Sequence, residues 1–429
     1  MFTDKEKKRR ALLLGLDGVP KGLIERFAGD GTMPFLGELF RTGTLHQMRV
    51  CLPEISSVNW SSFMTGANPG EHGIFGFTDL KPGSYDVTFP SFPQLKTDTL
   101  WDELGASGKR CLVINQPGCY PAREIPGVMV SGFVAVDLKR AVSPRAHVAA
   151  LQNLGYQIDV DTRGCREDSD KLFRELDACL VSREKALRHF LAQEDWDFVE
   201  LVITGTDRLQ HFLWTSCDGD GPERDRALEY YHKCDALCRT AVEAYLGEAP
   251  GAALYLMSDH GFCRVDREFH VNAWLRQEGY LRFDKEPPDS YADISADSVA
   301  FALDPGRIYL HRRGRYPKGS VESDAVLDEI AAKLGTLEYR GTRVFQRISR
   351  RDDIYRGAET PHGPDLVCTG SRGIDVKGGI RKTELFSDSV FTGMHTWDDA
   401  FFWARQDHGI GLVISDLRRI IANDLIGAV

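Results

Sequence analysis

The residues best placed to do chemistry are acids, imidazoles and one hydroxyl pair set at the ends of apolar runs. Asp17 closes ALLLGLDG, and Asp207 and His211 follow FVELVITGT with the spacing D-x-x-x-H. Asp259 and His260 follow GAALYLMS and precede Gly261, and His395 lies in FTGMHTWDD. Ser56 and Ser57 stand where the segment SSVNWSSF would begin a helix, whose unsatisfied N–H groups favour bound phosphate. A serine there can attack phosphorus while the helix terminus steadies the displaced negative charge. Taken singly, each feature has a plainer role: a serine caps a helix, and an aspartate after a strand shapes a turn. Taken together, three carboxylates, three imidazoles and one hydroxyl suffice for two metal sites sharing a phosphate. Mixed oxygen and nitrogen ligands suit zinc or manganese.

Such residues need a scaffold that gathers them, and the chain reads as alternating β and α. Strand-like runs fall at 11–16, 110–115, 127–131, 198–204 and 252–257. Helical spacing of apolar residues occupies 168–192, 223–246 and 324–334. In an open α/β sheet, ligands bind beyond the carboxyl ends of the strands, so three strands ending in Asp or Asp-His are expected to converge on one edge. The stretch 277–390, rich in Pro, Gly and charge, separates His260 from His395. It reads as a cap or insertion within a single catalytic domain covering 1–429.

The order of motifs resembles the alkaline phosphatase superfamily in its type I phosphodiesterase/nucleotide pyrophosphatase branch, over nearly the whole chain. The resemblance rests on Asp17-Gly18, the segment ending Thr65-Gly66-x-x-Pro69-x-x-His72-Gly73-Ile74, Asp207-x-x-x-His211, Ser258-Asp259-His260-Gly261 and Gly393-x-His395. It implies a three-layer α/β sandwich with a mostly parallel central sheet and a cap insertion. It also implies Ser56 as nucleophile, with Ser57 a rival, and Asn59 as a phosphate-binding amide. Asp207, His211 and His395 would hold one divalent ion, and Asp17, Asp259, His260 and the Ser56 oxygen another. Zinc is the expected metal and manganese the alternative.

The implied activity is hydrolysis of phosphodiester or pyrophosphate bonds in a small nucleotide-like substrate through a phosphoseryl intermediate. A phosphomonoesterase or phosphonate hydrolase with the same centre is the nearest alternative, and a non-catalytic phosphate-binding protein is one from another class. Arg208, Arg264 and Lys139 lie near the motifs and could face the extra charge of a monoester. Many relatives use threonine in T-F-P-N where this chain has Ser56-Ser57-Val58-Asn59. Cys51-Leu52-Pro53-Glu54-Ile55 lacks the arginine of a sulfatase motif. Trp60, Phe75, Phe77 and Tyr120 are candidates for stacking on a substrate base or packing on an alkyl group. His72 is expected to brace its loop, and His189, His232 and His311 to fill surface or core.

At 429 residues, with 42% hydrophobic and 27% charged residues, the composition is that of a globular enzyme. A net charge of −10 argues against a nucleic-acid polymer as partner. The basic run at 5–10 reads as a solvated leader, and the six apolar residues after it are too few for a secretion signal or membrane span. Ten dilute cysteines suit reduced thiols, and a cytoplasmic location is expected. Nothing in these residues specifies an oligomeric state.

Overall fold

The computed structural model describes residues 9–427, so most of the basic run at 5–10 lies outside the described residues. The chain divides into two compact units. One comprises the chain up to Ala67, Ser91–Phe262 and His395 onward; the other comprises Asn68–Pro90 and Cys263–Met394.

The first unit is built on an eight-stranded sheet. Its strands in chain order are β1 (Ala11–Leu16), β2 (Thr44–Met48), β3 (Cys111–Gln116), β4 (Gly127–Ser131), β5 (Val142–Ser143), β6 (Phe198–Ile203), β7 (Ala253–Met257) and β8 (Ala400–Ala404). Their order across the sheet is β2-β8-β7-β1-β6-β3-β4-β5. The central strands β7, β1, β6, β3 and β4 run parallel. Antiparallel β8 and β5 flank them, and β2 pairs antiparallel with β8.

Every residue of β1, β3 and β6 is buried, as expected of parallel strands covered on both faces. Side chains alternate between those faces. Leu12, Leu14 and Leu16 join one apolar core with Leu176, Phe190, Tyr231 and Leu237 from helices α2 (Ser169–Leu191) and α4 (Arg224–Glu248). Ala11 and Leu13 join another with Trp60, Met64, Leu417 and Ile421 from helices α1 (Ser56–Thr65) and α5 (Asp416–Ile426). Helix, sheet, helix is the layering of an α/β sandwich.

The parallel strands and the helices lie within two residues of their sequence-predicted positions. The antiparallel edge was not legible. β2 (TLHQM) mixes burial and exposure, β8 (AFFWA) is a short aromatic run, and β5 is two residues long.

The second unit has its own apolar core, including Phe301, Tyr309, Leu310, Ile330 and Leu366. One of its four-stranded sheets is antiparallel, in the order Ala300–Leu303, Arg307–Leu310, Leu366–Gly370, Phe345–Arg350. The expected insertion at 277–390 falls inside this unit, whose bounds are wider. It begins at Cys263 and takes in 68–90, from which Leu80 and Tyr85 pack into its core. Among the described residues, no helix is long and apolar enough to cross a membrane.

Candidate active site

Three neighbouring parallel strands deliver the acids. Asp17 follows β1, Asp207 lies in the first turn of helix α3 (Gly205–Asp218) after β6, and Asp259 and His260 follow β7. The turn after β1 is tied down from both sides. Asp17 N donates to the Ile203 carbonyl at 3.1 Å. Thr206 Oγ1 donates to the Asp17 carbonyl at 2.6 Å, and Gln210 Nε2 to that of Gly18 at 3.0 Å. Gly18 N donates to Asp259 Oδ1 at 3.0 Å. Gly18 has φ +70°, which favours glycine, and a Cβ there would crowd the His260 ring at 3.1 Å.

Two clusters result, meeting at His260. In one, ligand atoms of Asp207, His260 and His395 lie within 4.8 Å of one another; in the other, those of Asp17, Asp259 and His260 do. His395 Nε2 is 3.2 Å from Asp207 Oδ1 and 3.0 Å from His211 Nε2, which is itself 3.4 Å from Asp207 Oδ1. His260 Nε2 stands 3.6 Å from Asp17 Oδ1 and 3.4 Å from Asp259 Oδ2. His260 Nδ1 meets the Gly261 carbonyl at 3.0 Å and His395 Nδ1 the Glu54 carbonyl at 2.9 Å. A carbonyl only accepts, so the proton sits on Nδ1 and each Nε2 turns a lone pair inward. Phe262 packs beneath, its ring centroid 4.9 Å from that of His211 and 5.2 Å from that of His395.

The electrostatics are those of a pocket short of positive charge. Burial, then the charges of Asp259 and Asp207, hold the Asp17 carboxyl well above its ordinary range. Burial likewise pushes Asp259 up to about 7. Burial also opposes charge on Asp207, but His211 and His395 outweigh it and hold that carboxyl well below the ordinary range. Burial and the neighbouring His395 push His260 down to about 4. Asp207 Oδ1 and Asp259 Oδ2 are buried without a hydrogen-bond donor. Orphaned carboxylate oxygens facing inward lone pairs are a donor set that fits divalent cations.

Ser56 lies in this centre. Its Oγ is 3.1 Å from His260 Nε2 and donates to Asp17 Oδ1 at 3.4 Å. It is the first residue of α1, and the cap position is Ile55, which makes no side-chain capping bond. Ser56 is therefore not the helix cap. Ser57 Oγ is buried without a hydrogen-bond partner.

The structure places the other expected site residues as follows. Asn59 is fully buried; its Oδ1 accepts from Cys51 N at 2.8 Å and its Nδ2 faces the Cys51, Ile55 and Pro53 carbonyls at 3.2–3.4 Å. The amide expected to bind phosphate is thus spent bracing the turn before Ser56. Trp60 is also fully buried, and its indole donates to Asp17 Oδ2 at 3.0 Å, so it orients a carboxylate and offers substrate no face. Phe75 is core of the second unit, its ring edge-on to Tyr355 at 5.2 Å. Phe77 is half-buried in that unit.

Tyr120 follows β3, with its ring under Arg140 at 5.4 Å and its hydroxyl buried without a partner. In the second unit, His72 Nδ1 accepts from Ile74 N at 3.1 Å. Of the cations, Arg264 pairs with Asp266 at 3.0 Å and Lys139 is exposed. Arg208 is engaged by Asp159 at 2.6 Å and Asp207 at 3.3 Å. Sequence reasoning missed Thr206, Gln210 and Asp159. The first two lie in the turn and helix that carry Asp207, which was their only available signal.

No curated protein sequence matches the chain. The fold is similar to that of phosphonoacetate hydrolase from Sinorhizobium meliloti 1021 in complex with phosphonoformate. That likeness has 17% identity and TM-score 0.65, covering 98% of this chain and 96% of that one. Murine ectonucleotide pyrophosphatase/phosphodiesterase 5 is similar at 12% identity and TM-score 0.58, with 97% and 95% covered. The human protein of that name is similar at 13% identity and TM-score 0.57, again with 97% and 95% covered. The family of type I phosphodiesterases and nucleotide pyrophosphatases matches residues 11–398. With that match spanning the parallel strands and the clusters they carry, the chain belongs to the type I phosphodiesterase / nucleotide pyrophosphatase family, phosphoric ester hydrolases of the metal-dependent alkaline phosphatase superfamily.

Proposed function

We propose that this chain hydrolyses a phosphodiester or pyrophosphate bond in a small, nucleotide-like substrate, with Ser56 as the nucleophile and a phosphoseryl intermediate. The observation that carries the reading is the Ser56 hydroxyl lying 3.1 Å from His260 Nε2 and 3.4 Å from Asp17 Oδ1, between two Asp/His clusters. Asp207, His211 and His395 would hold one divalent ion, and Asp17, Asp259 and His260 with the Ser56 oxygen the other. Zinc, or manganese, bound there would lower the pKa of the seryl hydroxyl and neutralise phosphate charge.

Ser56 Oγ forms its bond to phosphorus as the bond to the leaving oxygen breaks; the seryl proton, hydrogen-bonded to Asp17 Oδ1 beforehand, passes to water, and the leaving oxygen takes a proton from water. The uncapped start of α1 favours the negative charge of the phosphoryl group. Asn59 keeps the turn before Ser56 in place, and Trp60 holds Asp17. Water then hydrolyses the phosphoseryl bond.

A diester is favoured over a monoester because the cation beside the centre, Arg208, is already matched by Asp159 and Asp207. We place the protein in the cytoplasm, a reading supported by ten cysteines without a disulfide, eight of them buried. Parallel assays with bis-p-nitrophenyl phosphate and p-nitrophenyl phosphate test the substrate class. Higher kcat/KM on the diester is expected, and a marked monoester preference overturns it.

A further inference from the structure

Asp159 has no place in the motifs that identify this family, yet the fold holds it firmly beside a metal-ligand candidate. Arg183, a buried arginine of α2, donates to the carbonyls of Gln157 at 2.6 Å and Ile158 at 2.5 Å and so fixes the loop that presents Asp159. Asp159 Oδ1 accepts from Thr204 Oγ1 at 3.3 Å. Asp159 Oδ2 accepts from Arg208 Nη2 at 2.6 Å and Nε at 3.2 Å. Both side chains of this pair are largely buried, at 16% and 17% exposure. The third nitrogen, Arg208 Nη1, donates to Asp207 Oδ2 at 3.3 Å, and the Phe133 ring lies 4.2 Å from the guanidinium. Asp207 Oδ2 is thereby pinned, which leaves the orphaned Oδ1 turned towards His395 and His211.

We propose that Asp159 sets the charge preference of the centre, as the counter-ion that fastens Arg208 to Asp207 and withholds its positive charge from the substrate. The charge count gives the reason. Asp17, Asp207 and Asp259 bring three negative charges, while Asp159 and Arg208 cancel. Two divalent cations would leave one positive charge, which matches the monoanion of a phosphodiester. With Asp159 neutral, two positive charges remain, which matches the dianion of a monoester. Arg208 acts as a positioning residue through Asp207, and Asp159 determines specificity through Arg208. The proposal rests on the phosphodiesterase reading above.

The test compares Asp159→Asn, Asp159→Glu and Arg208→Gln with the wild type, each checked for cooperative thermal unfolding. The ratio of kcat/KM for bis-p-nitrophenyl phosphate to that for p-nitrophenyl phosphate is expected to fall on the order of tenfold in Asp159→Asn. Asp159→Glu, which keeps the counter-charge, is expected to hold the wild-type ratio. Arg208→Gln removes a positive charge beside the three acids, so cobalt(II) affinity, read by its visible absorption, should hold or rise while monoester turnover falls; Asp159→Asn, which unmasks that charge, should weaken cobalt affinity several-fold.

A folded Asp159→Asn protein with the wild-type ratio overturns the proposal. So does a rise in monoester turnover, or a loss of cobalt affinity, in Arg208→Gln, and this arm decides the matter if Asp159→Asn does not fold. A wild-type preference for the monoester would instead overturn the substrate class. The Asp159 claim is read from the changes between variants and wild type, not from the wild-type preference itself.

Discussion

At the scale of single residues, the centre is a set of polar atoms whose ordinary partners are missing or of the wrong sign. Ser56 Oγ is in reach of both Asp17 and His260. Ser56→Ala is expected to lower kcat by about a thousandfold or more while metal titration by calorimetry still shows binding. Retained turnover in that variant would rule Ser56 out as nucleophile. Trp60 is the residue whose role changes most between sequence and structure. As an aromatic beside the nucleophile it suggested substrate stacking, whereas its indole N–H is the donor that satisfies Asp17 Oδ2. Trp60→Phe keeps the ring but strands that buried oxygen. The metal-free protein should lose about 1–3 kcal/mol in denaturant unfolding, and an unchanged midpoint would show that Asp17 is held by other means.

At the scale of elements, parallel strands deliver the acids and covering helices fix their angle. β1 is made of six buried residues, and Gly15 in it leaves room for the Trp60 ring, which would stand 2.7 Å from a Cβ. β6 carries a different signature. Glu200 lies in its middle, fully buried, with Oε2 accepting from Trp101 Nε1 at 3.0 Å and Oε1 without a partner. Burial pushes its carboxyl from 4.5 up to about 8. Between those values the folded chain keeps a proton that the unfolded chain has released, so stability must fall as pH rises through that window. The loss is a few kcal/mol at most in order of magnitude. Glu200→Gln should flatten this fall when denaturant midpoints are compared from pH 5 to pH 8. Equal slopes for variant and wild type would show that Glu200 is not its source.

At the scale of the whole molecule, the fold gathers like charges and must be compensated by something that binds the native state alone. Asp17, Asp207 and Asp259 crowd together only when β1, β6 and β7 are assembled. Saturating zinc or manganese should therefore raise the unfolding temperature, by an amount equivalent to about 4 kcal/mol at a thousandfold excess over Kd, and a chelator should reverse it. An unfolding temperature indifferent to both would argue against metal at these clusters. The sequence by itself determined the parallel strands, because buried runs such as ALLLGL and FVELVI are continuous, and the acids at their ends, because the carboxyl edge follows from strand direction. It also contained the family order of motifs. Only the tertiary structure decided how side chains within those motifs divide their work. Asn59 and Trp60 turn inward, Ile55 rather than a serine stands at the helix cap, and Asp159 reaches Arg208 across 49 positions of chain. The physical reason is that hydrogen bonds and charge pairs are set by where atoms meet in space, and spacing along a chain records that only within a single strand or helix.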